Sequence, residues 1–352
     1  MTQPDPAPDA QREVPTRARS TRPAPTIYDI AQLAGVNPST VSRALSRPGR
    51  ISAKTEKRIQ DAAKELNYRV NPMARALPTG RTSTLGLIIA DITNPMFFEV
   101  VRGAQRAAAL GGYTLILAES QESGEREAET AQRVAPSVDG MILVATRLTD
   151  EQITELSELR ALVVINRRVS GVDAIVPELE PGIEQALTHL ADLGHRSIAY
   201  VSGPANSWMS GARWNELLDR AVERGMSIVE IGPGTPTLEG GTAAIGRVLA
   251  SGVTAVIAYN DLMAIGLLRA AQEHGIDVPG GLSIIGFDDI FGSDFTSPPL
   301  TTIRTPLGLV GELAVRRALE LIGSELPPVG SDYAPELATE LVVRGSTGPL
   351  PG

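Results

Sequence analysis

The sequence predicts two architectures in one chain: an all-α head of helix-turn-helix type, and a two-lobed, doubly wound parallel-sheet α/β body. Three observations predict this. Apolar residues recur at helical spacing up to Leu66, whereas from residue 84 strand-length apolar runs alternate with amphipathic helices. Charge divides at the same place: residues 1–81 carry 14 Lys+Arg against 7 Asp+Glu, and the remaining 271 carry 18 against 34. A length of 352 residues also exceeds one ordinary domain.

The net charge of −9 therefore hides a basic head, which holds all three lysines (Lys54, Lys57 and Lys64), and an acidic body. Such asymmetry points to a head that meets nucleic acid, with a plain solvated basic surface as the alternative. The chain has no cysteine, which removes disulfides, thiolate catalysis and Cys-type metal sites. Nowhere do about 18 apolar residues run together, as a membrane span requires. The opening MTQPDPAPDAQREVPTRARS lacks the apolar core of a signal peptide, so a cytoplasmic protein with no membrane partner is expected.

Taken in order, residues 1–25 hold six prolines and almost no large apolar side chain, a composition that predicts disorder. Ile27, Ile30, Ala31 and Ala34 then mark a first helix, which Gly35 ends with a sharp turn. Asn37 is placed to cap a second helix and Pro38 suits its first position, where a missing N–H costs nothing. Val41, Ala44 and Leu45 form its buried stripe, which turns Ser39, Thr40, Ser42 and Arg43 elsewhere. Ser52 caps a third helix with the face Ile59, Ala62, Ala63 and Leu66.

In the body, LGLIIAD, TLILAES, GMILVA, ALVVINR, SIAYVSG, SIVEIG, TAVIAYN and SIIGFDD read as strands separated by helical segments. Near-continuous Ile/Val/Leu runs suit parallel strands buried on both faces. About ten strands fit two lobes better than one sheet. Ligands of such sheets sit beyond the strands' carboxyl ends. That rule gathers Asp91–Asn94, Asn166–Arg167, the loop after Val201, Asn260–Asp261 and Asp288–Asp289 around one cleft.

Enzyme signatures are missing. The three histidines (His189, His195, His274) form no H-E-x-x-H, and no G-x-S-x-G, P-loop or G-x-G-x-x-G after a strand occurs. Asp288-Asp289 has no third carboxylate beside it in sequence and reads as a ligand hydrogen-bonding pair, not a metal site. No catalytic residue, cofactor or metal is expected.

The motifs together resemble the lac repressor/galactose repressor family of bacterial transcription regulators, over roughly residues 26–345. TIYDIAQLAGVNPSTVSRAL resembles its DNA-reading unit and NPMARALPTGRT (71–82) its hinge helix. DITNPMFFEVVRGAQRAAALGGYTLILAES, LGHRSIAYVSG, YNDLMAIGLLRAA, IIGFDDI and SPPLTTIRTP resemble its effector domain, in the family's order. That domain is also similar to periplasmic sugar-binding proteins. The implied organisation is a tail (1–25), a helix-turn-helix domain (26–70), a hinge (71–82), a two-lobed effector and dimerisation domain (83–345) and a C-terminal tail (346–352).

The resemblance implies a repressor-type regulator whose DNA affinity is switched by a sugar or related metabolite bound between the lobes. It implies a homodimer on a palindromic operator. Arg43 and Ser39 lie on the exposed side of the recognition helix, and Arg43 is the residue best suited to read guanine; a surface salt bridge is its alternative. Thr40, Ser42 and Tyr28 suit phosphate contacts. Leu77 would wedge into the minor groove at the hinge, or else pack on its own effector domain, and Pro78 would end the hinge helix. An isolated helix this short is unstable in water, so the hinge is expected to fold only on DNA.

In the cleft, Phe97 and Trp208 would stack on a sugar face, with ordinary core packing as the alternative for Trp208. Asn94, Asn166, Arg167, Arg213, Asn260 and Asp288 would hydrogen-bond hydroxyls. Asn166 stands where the family often has Asp, and RWNELL (213–218) and PELEPG (177–182) depart from its usual segments, differences that concern the ligand and not the fold. A cytoplasmic solute-binding module without a regulatory DNA role is the other reading of the whole chain.

Overall fold

The computed structural model describes residues 25–46, 50–68, 81–324 and 337–350. The chain divides into two compact units, 1–79 and 80–352. The Pro-rich residues 1–24, and residues 71–80 of the hinge with Leu77 and Pro78, lie outside the described residues.

The first unit holds helices α1 (Ile27–Ala34), α2 (Pro38–Ser46) and α3 (Ala53–Glu65). The Asp29 carboxylate accepts from both the backbone N–H and the hydroxyl of Thr26, at 2.7 and 2.8 Å, and closes the start of α1. These two hydrogen bonds hold the Asp29 carboxyl below its ordinary range. Gly35 ends α1 at φ 61°, a left-handed conformation that costs a side-chain-bearing residue strain. Ser52 Oγ accepts from Thr55 N at 3.3 Å and caps α3, and the Arg58 guanidinium reaches back to the Ala34 carbonyl at 2.8 Å. The core is Ile30, Ala31, Ala34, Val41, Ala44, Ile59 and Ala62. Alanines at four of these seven positions let three short helices approach closely.

The second unit contains two sheets. The first lobe has β1 (Thr84–Ile89), β2 (Thr114–Glu119), β3 (Gly140–Val144), β4 (Ala161–Ile165) and β5 (Asp173–Ile175), all parallel in the order β2-β1-β3-β4-β5. Its register sets Leu85 beside Leu115 on one side and Gly140 on the other. The helices α4 (Met96–Leu110), α5 (Gly124–Val134) and α6 (Asp150–Leu159) connect them. The second lobe has β6 (Ser197–Val201), β7 (Ser227–Ile231), β8 (Ala255–Ala258), β9 (Ser283–Asp288), β10 (Thr301–Arg304) and β11 (Glu340–Val342), ordered β11-β10-β9-β8-β6-β7. Among the described residues only β10 and β11 pair antiparallel. Its helices are α7 (Glu180–Asp192), α8 (Trp208–Glu223), α9 (Leu238–Ser251) and α10 (Asp261–Glu273).

The last helix, α11 (Leu307–Leu321), follows a second-lobe strand yet packs on α4 of the first lobe. The two helices touch through glycines: a Cβ at Gly103 would lie 1.9 Å from the Gly308 carbonyl oxygen, and one at Gly311 would lie 2.0 Å from that of Val100. The chain thus passes between the lobes three times, after β5, after β10 and after α11. Two of these passages are tied together where Glu178 N donates to Leu337 O at 2.9 Å and Thr339 N to Glu178 O at 3.1 Å.

Every strand expected from an apolar run is present, but two are not buried on both faces. Ile116 and Leu117 of β2 and Val229 of β7 are each 39% exposed. Both strands lie at sheet edges, where one flank has no neighbour. The central strands β1, β3, β8 and β9 are buried along nearly their whole length. Strands β5, β10 and β11 had no long apolar run to announce them. Among the described residues no helix is long and apolar enough to cross a membrane.

Candidate functional site

In the first unit, α2 presents Ser39, Ser42 and Arg43 to solvent, with Thr40 half-buried beside them. Val41 and Ala44 face the core, so the helical period alone turns the polar set outward. Tyr28, on the first turn of α1, is 68% exposed. Leu77 lies outside the described residues.

In the second unit, a cleft at the carboxyl ends of the two sheets is lined by residues from both lobes. Strained backbone marks its rim. Gln121 and Glu122 after β2, Ala145 after β3, Asn166 after β4, and Asp288 and Asp289 at the end of β9 all have positive φ, from 53° to 102°. Side-chain-bearing residues adopt this region at a cost and concentrate in it at functional sites.

The second lobe contributes Arg213 from α8 and Asp288, which form a buried ion pair with Nη2 to Oδ1 at 2.7 Å. The guanidinium lies over the Phe287 ring at 3.6 Å and near that of Tyr259 at 5.1 Å, and Nη1 donates to the Tyr259 carbonyl. Burial works against the Arg213 charge, but Asp288 and the two tyrosines Tyr259 and Tyr200 outweigh it and raise its pKa. Arg213 Nε is buried without an acceptor, a donor that a ligand oxygen would satisfy.

Asp261, the first residue of α10, stands behind this pair. It is fully buried and accepts from Ile290 N at 2.8 Å and from Thr302 Oγ1 at 2.5 Å. Burial, reinforced by the neighbouring charge of Asp288, pushes its carboxyl up to about 8 despite the Thr302 hydrogen bond. Asp289 turns the other way and accepts from Arg344, Arg304 and Ser293. Burial opposes its charge, but these hydrogen bonds prevail and hold its carboxyl below the ordinary range. One turn thus offers Asp288 to the cleft while Asp289 ties down β10 and the segment after β11.

The structure brings Asn94, Phe97, Asn166, Arg213, Asn260 and Asp288 together in the cleft lining. It does not bring Arg167 and Trp208 into it. The Arg167 guanidinium turns to the start of α6, where it donates to Leu148 O at 2.5 Å and pairs with Asp150 at 2.6 Å. Trp208 is the half-buried first residue of α8, and the next residue, Met209, lines the cleft instead. Asn260 faces the cleft with its amide already engaged: Oδ1 caps α10 through Met263 N at 2.9 Å, and Nδ2 donates to Pro236 O at 3.0 Å.

Sequence reasoning missed the lining residues Met96, Ala145, Met209, Pro236 and Tyr259 and, more consequentially, two charged ones, Glu122 and Arg147. Both follow the carboxyl ends of strands read from the sequence, so the rule that selected Asn94 and Asn166 would have found them after β2 and β3. The histidines are structural ties. His195 pairs with Thr254 Oγ1 at 2.8 Å and Gly348 O at 3.0 Å, His189 with Thr347 Oγ1 at 2.8 Å, and His274 with Ala270 O at 2.8 Å.

Residues 26–71 match the bacterial regulatory proteins of the lacI family, and residues 187–347 match the periplasmic binding protein-like domain. The HTH-type transcriptional repressor CytR of Escherichia coli (strain K12) is 32% identical over 95% of this chain and all of its own length. The HTH-type transcriptional regulator MalR of Streptomyces coelicolor is 35% identical over 93% of this chain and 97% of its own. Among solved structures, a lac repressor dimer bound to operator and the anti-inducer ONPF superposes with a TM-score of 0.81, at 26% identity over 93% of this chain and all of that one. A transcriptional regulator CelR–cellobiose complex gives 0.63, at 28% identity over 92% of this chain and 99% of that one. With an exposed polar face on α2, a polar cleft between two sheet lobes and relatives that cover 93–95% of its length, the chain belongs to the lacI family of bacterial transcriptional regulators and is a ligand-responsive DNA-binding protein, not an enzyme.

Proposed function

We propose that the chain is a homodimeric repressor that binds a palindromic operator in the bacterial cytoplasm and changes its operator affinity when a sugar or sugar-like molecule occupies the cleft. The observation that carries this reading is the buried Arg213–Asp288 pair on its aromatic bed, facing an opposite lobe that also supplies polar groups. A site of this kind combines apolar walls with a few fixed hydrogen-bonding groups, the pattern suited to a ring with one face of C–H and an edge of hydroxyls. Structures of related regulators with bound ribose or cellobiose support that ligand class. A ligand acts by binding one lobe arrangement better than the other, with a coupling of about 1–3 kcal/mol in typical cases. Residues 71–82 would transmit it by folding as paired hinge helices on DNA, with Leu77 as the minor-groove wedge.

Arg43 is the base-reading residue of this proposal, with Ser39 beside it and Tyr28, Thr40 and Ser42 as phosphate contacts. Fluorescence anisotropy with the DNA upstream of the gene, alongside single-base variants, tests it. Arg43→Ala should lose about 1–3 kcal/mol of discrimination at one base pair of each half-site and leave ligand affinity unchanged. Equal weakening on every DNA sequence would make Arg43 a phosphate contact instead.

A further inference from the structure

The first lobe carries a second ion pair in the cleft that no motif announced. Arg147 Nε and Nη2 meet Glu122 Oε2 at 2.8 and 2.7 Å, and Nη1 donates to the Ala145 carbonyl at 3.0 Å. The two residues follow β3 and β2, the strands that flank β1, so their pair bridges the carboxyl end of β1. Glu122 N donates to Ala90 O, just beyond β1, at 3.0 Å. Arg147 is held from behind as well: its backbone N donates to the buried Glu127 carboxylate at 2.7 Å. The Arg147 side chain is 2% exposed, and that of Glu122 27%. Glu122 and Ala145 both occupy left-handed backbone, at φ 59° and 54°.

The cleft lining therefore contains four charged side chains, two from each lobe, and each is already paired with one of opposite sign. Each pair places guanidinium N–H donors beside carboxylate acceptors, the combination that neighbouring hydroxyls, which both donate and accept, can use together. A phosphate or carboxylate would have to draw a guanidinium from its partner and leave a carboxylate uncompensated, fully buried at Asp288 and partly buried at Glu122, and an ammonium group would strand a buried guanidinium. Either separation is costly in a buried site. A neutral ligand requires neither.

Resting on the sugar-binding reading above, we infer that the Arg147–Glu122 pair is a specificity-determining element, which reads hydroxyls from the first lobe as Arg213–Asp288 does from the second, and that the two balanced pairs select a neutral polyhydroxy ligand against its phosphorylated, acidic or amino counterparts.

The test uses the full chain and matched probes: ribose and ribose 5-phosphate; glucose, glucose 6-phosphate, glucuronate and glucosamine; and cellobiose. Thermal shift followed by calorimetry should show binding by at least one neutral sugar and weaker or no binding by its charged counterparts. A charged probe that binds more tightly than its neutral parent overturns the inference, as does silence from every neutral probe. Glu122→Gln leaves Arg147 without its counter-charge and supplies the sharper readout. For a matched pair, it should shift the affinity ratio toward the anionic member by about tenfold or more, roughly one power of ten in the dissociation constant. Equal weakening of both members, with the fold intact by circular dichroism, would reduce the pair to a structural tie and overturn the assignment. An anionic sugar that binds and alters operator affinity would sink this inference yet leave the regulatory reading standing. Loss of operator binding under all conditions would sink that reading instead.

Discussion

The helical head and the cleft treat their charged side chains in opposite ways. In the head, Arg43 stands exposed on α2, backed by a core of seven small and medium aliphatic residues. In the cleft, Arg147 and Arg213 are buried, and each is locked to a carboxylate from another element. DNA is an extended polyanion outside the fold, so a residue that reads it must project into water, and one helix suffices to present it. A small ligand is enclosed, so the groups that meet it lose water as well and must already have partners. The difference predicts that recognition and stability are separable in the head and inseparable in the cleft.

The largest effect expected from this contrast is at Arg213. Arg213→Ala strands Asp288 at 3% exposure, and breaking such a pair typically costs about 3–5 kcal/mol. Urea denaturation of the body should report that loss, while Arg43→Ala leaves the same curve unmoved. An Arg213→Ala curve that overlays the wild type would break the comparison.

A second test sharpens it through pH. Asp261 has its folded-state pKa raised to about 8, above that of the unfolded chain. The folded protein therefore keeps a proton that the unfolded chain releases from about pH 4 upward. The stability this group contributes is fully present below the unfolded pKa and declines as pH rises, until the folded group ionises near 8. Between about pH 5 and pH 7 the decline from Asp261 alone is about 2–3 kcal/mol. Asp261→Asn should remove that part of the slope, measured as the difference between wild-type and variant denaturation midpoints at the two pH values. Burial lowers the pKa of His189 and His195, an opposite slope common to both proteins that cancels in the difference. Parallel pH profiles would show that Asp261 is ionised in the folded state.

The smallest effect is in the head. At Gly35 a Cβ would meet nothing within 4 Å, so Gly35→Ala isolates the cost of left-handed backbone, about 1–2 kcal/mol. The α-helical signal of the head should melt earlier and weaken operator binding, with no change in ligand affinity. If ligand affinity falls as well, the two regions are not separable.

The head was legible because its signals are local. Gly35 at the turn, Pro38 at the start of α2, Ser52 at the cap of α3 and the apolar stripes all act within a few residues of one another. The central strands were legible for a related reason, since burial on both faces demands an uninterrupted apolar run. The edge strand β2 carries the same kind of run with one flank open, and nothing in TLILAES distinguishes an edge from a centre, whereas Glu230 inside SIVEIG already breaks the run of β7. Strands β10 and β11 were missed because neither carries an apolar run: TTIR has one apolar residue and ELV has two.

In the cleft, the rule that ligands lie beyond strand ends placed Asn94, Asn166, Asn260 and Asp288 from residue order alone. Their partners were another matter. Arg213 meets Asp288 across 75 positions, and Arg147 meets Glu122 across 25. Arg167, although it follows β4 at the right place, is captured by Asp150 and Leu148. The sequence by itself determined the order of elements, the outward face of α2 and which turns border the cleft, because periodicity, capping and strand polarity are properties of short segments. Only the tertiary structure decided which charged side chains enter the cleft and which counter-charge each finds there. Those choices depend on distances between segments far apart in the chain, and on the cost of burying a charge without a partner.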